Sequence, residues 1–372
     1  MGNVAPREEL ATTEGRNAVS DREQRILGII ETARAKPAKF RDERITMAHG
    51  AGGKATQTLI EGLLVPAFGS EAGKSMGDAA IIDGMALTTD SFVVKPIRFP
   101  GGSIGDLAVN GTVNDLAVAG ARPQALTLSL ILEEGLESAT LREEVEAIAR
   151  AAEVAGVEIV AGDTKVVERG HCDQMYVCTT GVGQVDPRAH LSPSALRPGD
   201  RIIVSGSIGE HGTAIMLARG EFELEADIES DTRSLWPAVD ALLESAGDHL
   251  HCMRDATRGG VASVLNELAR TSSVAMIVRE AAVPVDPAVA GAAEILGIDP
   301  MYVANEGKFV AFVAPEQADE ALAALRSVPG CERAAEIGEV RTEPPGMVLV
   351  ETAFGGKRVM DQLVGDPLPR IC

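Results

Sequence analysis

The sequence predicts an α/β (α+β) protein of two domains, and three observations carry the prediction. Its 372 residues exceed one typical core of roughly 100–200 residues. Apolar residues make up 45% of it while aromatics are only 3%, a balance suited to close helix–sheet packing and poor for stacking on bases. Arg197-Pro198-Gly199-Asp200 punctuates the middle just before a new apolar run, which places a domain boundary near residues 190–200.

Residues 1–43 form a polar extension. Ser20 and Glu23 have capping-box spacing ahead of Ile26, Leu27, Ile29 and Ile30, predicting a short helix that ends by Pro37. The first domain, residues 44–190, opens with Ala48-His49-Gly50-Ala51-Gly52-Gly53-Lys54 before a helix over 56–64. Glycines there let backbone N–H groups approach an anion. Lys54 is followed by Ala55 and the P-loop spacing is absent, so the loop is either an anion cradle or a flexible connection. Asp83-Gly84 between two apolar runs predicts a hairpin turn. Counting back from it sets Asp78 opposite Thr89 or Asp90, so two carboxylates meet and either share a cation or remain solvated.

A buried helix over 104–119 carries Asn110, Asn114 and Asp115, whose polar groups need partners from a ligand, a metal or neighbouring loops. A second helix over 140–155 stops at Gly156. The strand 157–161 then ends at Gly162-Asp163-Thr164-Lys165, and polar residues past a strand's C-terminal end are where α/β folds place ligand groups. Asp163 is therefore a third candidate cation ligand, with Lys165 beside it as either a base or a solvated lysine.

The second domain, residues 191–360, reads as a strand over 202–205, a glycine loop 206–212, a helix and a long acidic helical segment. His251-Cys252-Met253-Arg254-Asp255-Ala256-Thr257-Arg258-Gly259-Gly260 then leads into a helix from Val261, where two arginines and two glycines suit a phosphate. Equally, Asp255 there simply pairs with Arg254 or Arg258. His249, His251 and Cys252 are spaced too tightly for a usual structural zinc site. Glu306, before the strand Phe309–Val313, is a turn acid or a positioned base. Residues 361–372 form a tail in which Pro367 and Pro369 keep the backbone extended and Cys372 ends the chain. It is either a frayed end or a stiff arm carrying a mobile thiol.

A net charge of −21 excludes nucleic acid and anionic membrane as partners, since those interactions depend on Lys and Arg. A polyphosphate ligand would need a cation between it and this acidic surface, which points to Mg²⁺. Five scattered cysteines without C-x-x-C spacing suggest no disulfide framework and a reducing cytoplasm. No secretory h-region or apolar run of about 18 residues is present, so neither export by that route nor membrane spanning is expected.

Taken together, Thr89-Asp90-Ser91-Phe92-Val93-Val94, Gly111-Thr112-Val113-Asn114-Asp115-Leu116-Ala117, Gly162-Asp163-Thr164-Lys165-Val166-Val167, Arg254-Asp255-Ala256-Thr257-Arg258-Gly259-Gly260 and the terminal Pro369-Arg370-Ile371-Cys372 resemble the HypE family of hydrogenase maturation proteins. That family lies in the aminoimidazole ribonucleotide synthetase-like (PurM-like) superfamily, and the resemblance spans most of residues 45–372. It implies an N-terminal ATP-binding domain that forms a homodimer and a C-terminal α/β sandwich. It also implies that a carbamoyltransferase, HypF, loads a carbamoyl group onto Cys372. ATP-dependent dehydration then gives a thiocyanate, whose cyanide passes to a HypC–HypD complex. The resemblance assigns Mg²⁺–ATP to Asp78, Asp90, Asp115 and Asp163, with Asp255 extending the set. His49, Gly50, Gly52, Gly53, Asn114, Thr164 and Arg254 are implied contacts of the nucleotide, and Lys165 and Glu306 are the implied proton acceptors. Ser103, Asn110, Cys252, Ala256 and the N-terminal extension depart from the family pattern.

Overall fold

The computed structural model describes residues 39–68, 77–220, 226–363 and 370–372. The helix expected over 20–37, together with Pro367 and Pro369, lies outside the described residues. The glycine loop caps α1 (Lys54–Leu59), which continues through a π turn, Ile60–Leu64, to Val65–Phe68. Asp83 and Gly84 take positive φ of 51° and 79°, as a tight hairpin turn requires, and join β1 (Ala80–Ile82) to β2 (Met85–Phe92). A ribbon of β3 (Arg98–Phe99) and β4 (Gly102–Ser103) leads into α2 (Ile104–Val118). The Ser103 hydroxyl accepts from the Gly105 N–H at 3.2 Å and caps that helix.

Next come β5 (Ala121–Glu133), α3 (Ser138–Ala155), β6 (Glu158–Val167) and β7 (Met175–Val185). Gly156 ends α3 in the left-handed conformation expected of it, at φ 69°. The strands form one sheet in the order β1-β2-β7-β5-β6, in which the β5–β6 pair is parallel because a helix connects it. Helix α2 is buried nearly all round. One side of it packs on the sheet, and Ala117 and Val118 near its end enter a core shared with the second half of the chain. Among the described residues nothing covers the other face of the sheet, where Leu87, Thr89, Ser91, Asp163 and Lys165 are exposed.

The strand expected to end at Ala161 continues through Asp163 and Lys165 to Val167, because β5 offers it a long parallel partner. Consecutive strand residues point to opposite faces, and this continuation decides where Asp163 lies.

The second sheet runs β14-β13-β10-β12-β8-β11-β9, built from β8 (Arg201–Val204), β9 (Leu250–Asp255), β10 (Ala275–Arg279), β11 (Phe309–Val313), β12 (Ala335–Arg341), β13 (Val348–Glu351) and β14 (Lys357–Met360). Helix α6 (Gly260–Thr271) packs on one face, against Ile202, Val204, Val310 and Phe312. Helices α5 (Trp236–Ala246) and α8 (Ala318–Arg326) pack on the other, against Ile203, Phe309 and Ala311. Burial on both faces explains why Phe309–Val313 is an unbroken apolar run. The remaining helices are α4 (Glu210–Ala218) and α7 (Pro287–Leu296). Among its described residues, the acidic segment expected to be helical forms an α-helix only over α5. Residues 226–235 are irregular, since Ser230, Asp231, Thr232 and Arg233 hydrogen-bond across to other elements instead of along a helix.

Candidate active site

Three carboxylates converge from three distant segments. Asp78 precedes β1, Asp115 lies in the last turn of α2 and Asp255 ends β9, and one oxygen of each lies within 4.8 Å of the others. Asp90 on β2 joins them through a hydrogen bond with Asp115, whose other contact is the Thr88 hydroxyl at 2.6 Å. Arg254 spans from β9 to Asp78 at 2.7 Å. A small cavity of about 40 Å³ opens beside the acids, lined also by Ser91, Gly111, Thr257, Arg258, Glu306 and Cys372.

Burial, and then the neighbouring carboxylates, push Asp115 and Asp255 well above the ordinary value of 3.8. Burial raises Asp78 and Asp90 as well, against the opposing pull of Arg254 and Arg258. An all-oxygen, carboxylate-rich set under mutual repulsion suits a hard divalent cation such as Mg²⁺. The sign of the pH dependence follows. With folded-state values raised, the unfolded chain binds fewer protons above pH 3.8, so the cation-free protein loses stability as pH rises from there through the raised values. A bound cation removes that loss. Millimolar Mg²⁺ is therefore expected to raise Tm by about 2–4 °C near pH 8 and much less near pH 5 in thermal unfolding, whereas equal shifts at both would contradict binding at these acids.

Glu306 lies in the turn that leads into β11 and is 3% exposed. Its Oε1 has no hydrogen-bond partner among the described residues. Burial, then Asp255, Asp231 and Asp90, push its carboxyl well above the usual range. The turn is held rigidly from behind. Asp231 accepts from the backbone N–H groups of Glu306 (3.0 Å) and Gly307 (3.2 Å) and from Lys308 Nζ (2.8 Å). Burial opposes the Asp231 charge, but Lys308 and these donors keep its carboxyl below the usual value.

The tail enters this site. Val93 N–H donates to the Cys372 carbonyl at 3.0 Å and Lys95 N–H to the Arg370 carbonyl at 3.2 Å. Ile371 is 3% exposed among Phe92, Val94, Ile104 and Ile215. Cys372 lies at the cavity wall, outside any disulfide.

Asp163 and Lys165 pair with each other on the uncovered face of the first sheet, 60% and 64% exposed. Asp90 aligns through Thr179 and Leu128 with Gly162, three strand spacings or about 14 Å away, and Asp163 projects from the opposite face. Asp255, not Asp163, thus completes the acid cluster within one chain, and Thr164 is exposed on the same edge strand. His49 turns inward: Nδ1 accepts from the Thr46 N–H at 3.0 Å and Nε2 donates to Asp42 at 2.9 Å, so its ring organises the loop. Gly50 and Gly52 pack on Arg258, where Gly50's carbonyl accepts from Nη1 at 3.3 Å and a Cβ on Gly52 would meet Arg258 Cβ at 2.9 Å. Gly53 is the N-cap of α1. Asn114 is engaged structurally: it donates to the carbonyls of Arg233 (2.9 Å) and Glu306 (3.1 Å) and accepts from the Leu235 N–H (2.8 Å). His251 bonds Asp200 at 2.9 Å, and burial pushes the Cys252 thiol up to about 12, so among the described residues these form no metal site. Sequence reasoning did not single out Asp231, His211 or Asp173, whose partners lie far off in the chain. No helix of the described residues is long and apolar enough to cross a membrane.

Two helix-backed sheets with a carboxylate cavity between them define a protein of the AIR synthase related class. Residues 76–185 match the model for the AIR synthase related protein N-terminal domain, and residues 197–350 match that for the C-terminal domain. The chain is 49% identical over 339 residues to the carbamoyl dehydratase HypE of Rhodobacter capsulatus, covering 90% of this chain and 99% of that protein. The crystal structure of a hydrogenase maturation protein HypE in complex with ATP is similar at TM-score 0.75 and 44% identity, over 88% of this chain and 100% of that one. A HypE–HypF complex is similar at TM-score 0.79 and 43% identity, over 82% of this chain and 99% of the other. The chain belongs to the HypE carbamoyl dehydratase family.

Proposed function

We propose that this protein is the carbamoyl dehydratase of hydrogenase maturation, consuming ATP to convert S-carbamoyl-Cys372 into S-cyano-Cys372. The observation that carries the reading is Cys372 at the wall of a cavity lined by Asp90, Asp115, Asp255 and Glu306. A carbamoyl oxygen is a poor leaving group, and accepting the γ-phosphoryl group of ATP makes it a good one. As phosphate departs, the C–O bond breaks, the nitrogen gives up its two protons and its electrons form the C≡N bond. ATP becomes ADP and phosphate, and the carbamoyl group has lost the elements of water.

Glu306, with an oxygen that has no hydrogen-bond partner among the described residues and a carboxyl raised above its usual range by burial, is suited to take a proton from that nitrogen. Asp78, Asp90, Asp115 and Asp255 would hold Mg²⁺, which neutralises charge on the polyphosphate. Arg258 adds a cation inside the cavity, and the loop from Gly50 to Gly53 on its back offers backbone amides to the phosphates. In the family, HypF is the donor of the carbamoyl group and a HypC–HypD complex the acceptor of cyanide. We assign the same partners here, in a reducing cytoplasm.

We also propose a homodimer through the uncovered sheet face. Ser91 belongs both to that face and to the cavity wall, so a second copy packed there would bring its own Asp163, Thr164 and Lys165 to the site. Mixing inactive Lys165→Ala chains with inactive Cys372→Ala chains should restore part of the activity, since one mixed site then has both tail and lysine. An absence of any restoration would mean that Lys165 does not act across the dimer.

The whole reading is tested by loading Cys372 with carbamoyl, adding Mg²⁺ and ATP, and weighing the tail peptide. Loss of one water is expected. ATP turnover without that loss would instead favour phosphoryl transfer to a small substrate.

A further inference from the structure

We infer that the groove holding Arg370, Ile371 and Cys372 is a peptide-binding site that reads this tripeptide in trans, so that the tail of a second copy, or a free peptide of that sequence, can occupy it. His211 is the positioning residue at its centre. The inference rests on the reading of Cys372 as the carrier of the reacting group.

Every carbonyl of the tripeptide is held by a donor from the body of the protein. The backbone N–H groups of Val93 and Lys95, two residues apart, donate to the backbone oxygens of Cys372 and Arg370, with Arg370 held at a positive φ of 58°. The intervening Ile371 carbonyl points the other way, and there His211 Nε2 donates to it at 2.6 Å. His211 is fully buried. Its Nδ1 lies 2.7 Å from the Ser230 hydroxyl, and Phe99 packs edge-on at 5.6 Å, so the ring is fixed before the tail arrives. A carbonyl only accepts, which places the hydrogen on Nε2.

Side-chain readout is equally local. Ile371 fills the apolar pocket described above. The Arg370 guanidinium pairs with Asp173, lies 5.8 Å from the centre of the Tyr176 ring and donates through Nε to the Val93 carbonyl at 3.1 Å. Arg219 Nη2 donates to the Arg370 carbonyl at 2.7 Å. All these partners lie in residues 92–219, and none depends on how the tripeptide is joined to the rest of the chain. A site that fixes three carbonyls, an arginine and an isoleucine recognises a sequence, and tethering serves only to raise its local concentration.

The test uses the full chain carrying Ile371→Asp, whose own tail cannot seat, and a fluorescent peptide ending in Pro-Arg-Ile-Cys followed by anisotropy. Saturable binding is expected. Replacing isoleucine by aspartate in the peptide should weaken it at least tenfold, and adding His211→Ala to the protein should do the same. His211→Asn, which retains an N–H donor, should keep most of the binding. Thermal unfolding checks that each variant is folded, and the peptide comparison needs no further protein variant. Equal binding of both peptides, or none to a folded Ile371→Asp chain, would overturn the inference. ATP-dependent loss of water at Cys372 of the unaltered chain is scored separately. Peptide binding without that loss leaves the groove standing and sinks the dehydratase reading, and the reverse result sinks the groove.

Discussion

Cys372→Ala is expected to abolish cyano-group formation, with no product above background in a mass spectrum, while ATP binding stays within about twofold. The reason is covalent: the sulfur is the attachment atom of the reacting group, and no other described thiol can replace it. Cys252 and Cys331 are buried in the second half, and Cys172 is buried beneath β5, its thiol pushed up first by burial and then by Glu133. Cys178, half-buried at 3.2 Å from the Ser91 hydroxyl, is fixed on a strand and cannot be delivered as a tail can. Cys372→Ser retains the shape of the tail and is expected to be equally inactive, because an O-carbamate is a different electrophile from the thiocarbamate. Full product from either variant would move the chemistry away from Cys372.

Glu306→Gln is expected to lower the dehydration rate by about 10²- to 10⁴-fold, the usual worth of a positioned base. The amide preserves size and removes a buried charge, so little loss of stability accompanies it. Because the Glu306 carboxyl is raised well above the usual range, the unaltered enzyme should lose rate as pH falls through that raised value, and the residual rate of the variant should not follow this titration. Rate against pH in single turnover from pre-carbamoylated protein reads both effects at once. A variant as fast as the parent would assign the proton to another group, and Lys165 of a second copy is then the first to test. Asp231→Asn should produce a weaker form of the same phenotype, since it loosens the turn that aims Glu306 without touching the cavity.

Much of the frame is legible in the amino-acid sequence. Asp83-Gly84 is a local signal for a local turn, and counting back from it brings Asp78 toward Asp90, as the observed pairing of Ala80 with Leu87 bears out. The run Phe309–Val313 reads as a strand because both its faces are buried, and α2 reads as a buried helix because it is apolar all round. The misreading is one of length. Strand β6 extends as far as β5 accompanies it, and nothing within Gly162-Asp163-Thr164-Lys165 announces a partner so far along the chain. That difference in length leaves Asp163 on the exposed face of the sheet, outside the cluster that Asp78, Asp115 and Asp255 form within one chain. The supports of the site are least legible: Asp231 is 75 residues from Glu306, and His211 is 160 from Ile371. Such contacts carry no periodicity or spacing signal and emerge only when the two halves meet.

The central claim is that the tail delivers Cys372 to the phosphoryl donor. It is tested most directly by the structure of the carbamoylated chain with Mg²⁺ and a non-hydrolysable ATP analogue. The carbamoyl oxygen is expected about 3–3.5 Å from the γ-phosphorus, in line for transfer, with Asp255 and Asp115 on the metal and Glu306 within reach of the nitrogen. A γ-phosphate bound elsewhere while Cys372 remains at the acid cavity would contradict it.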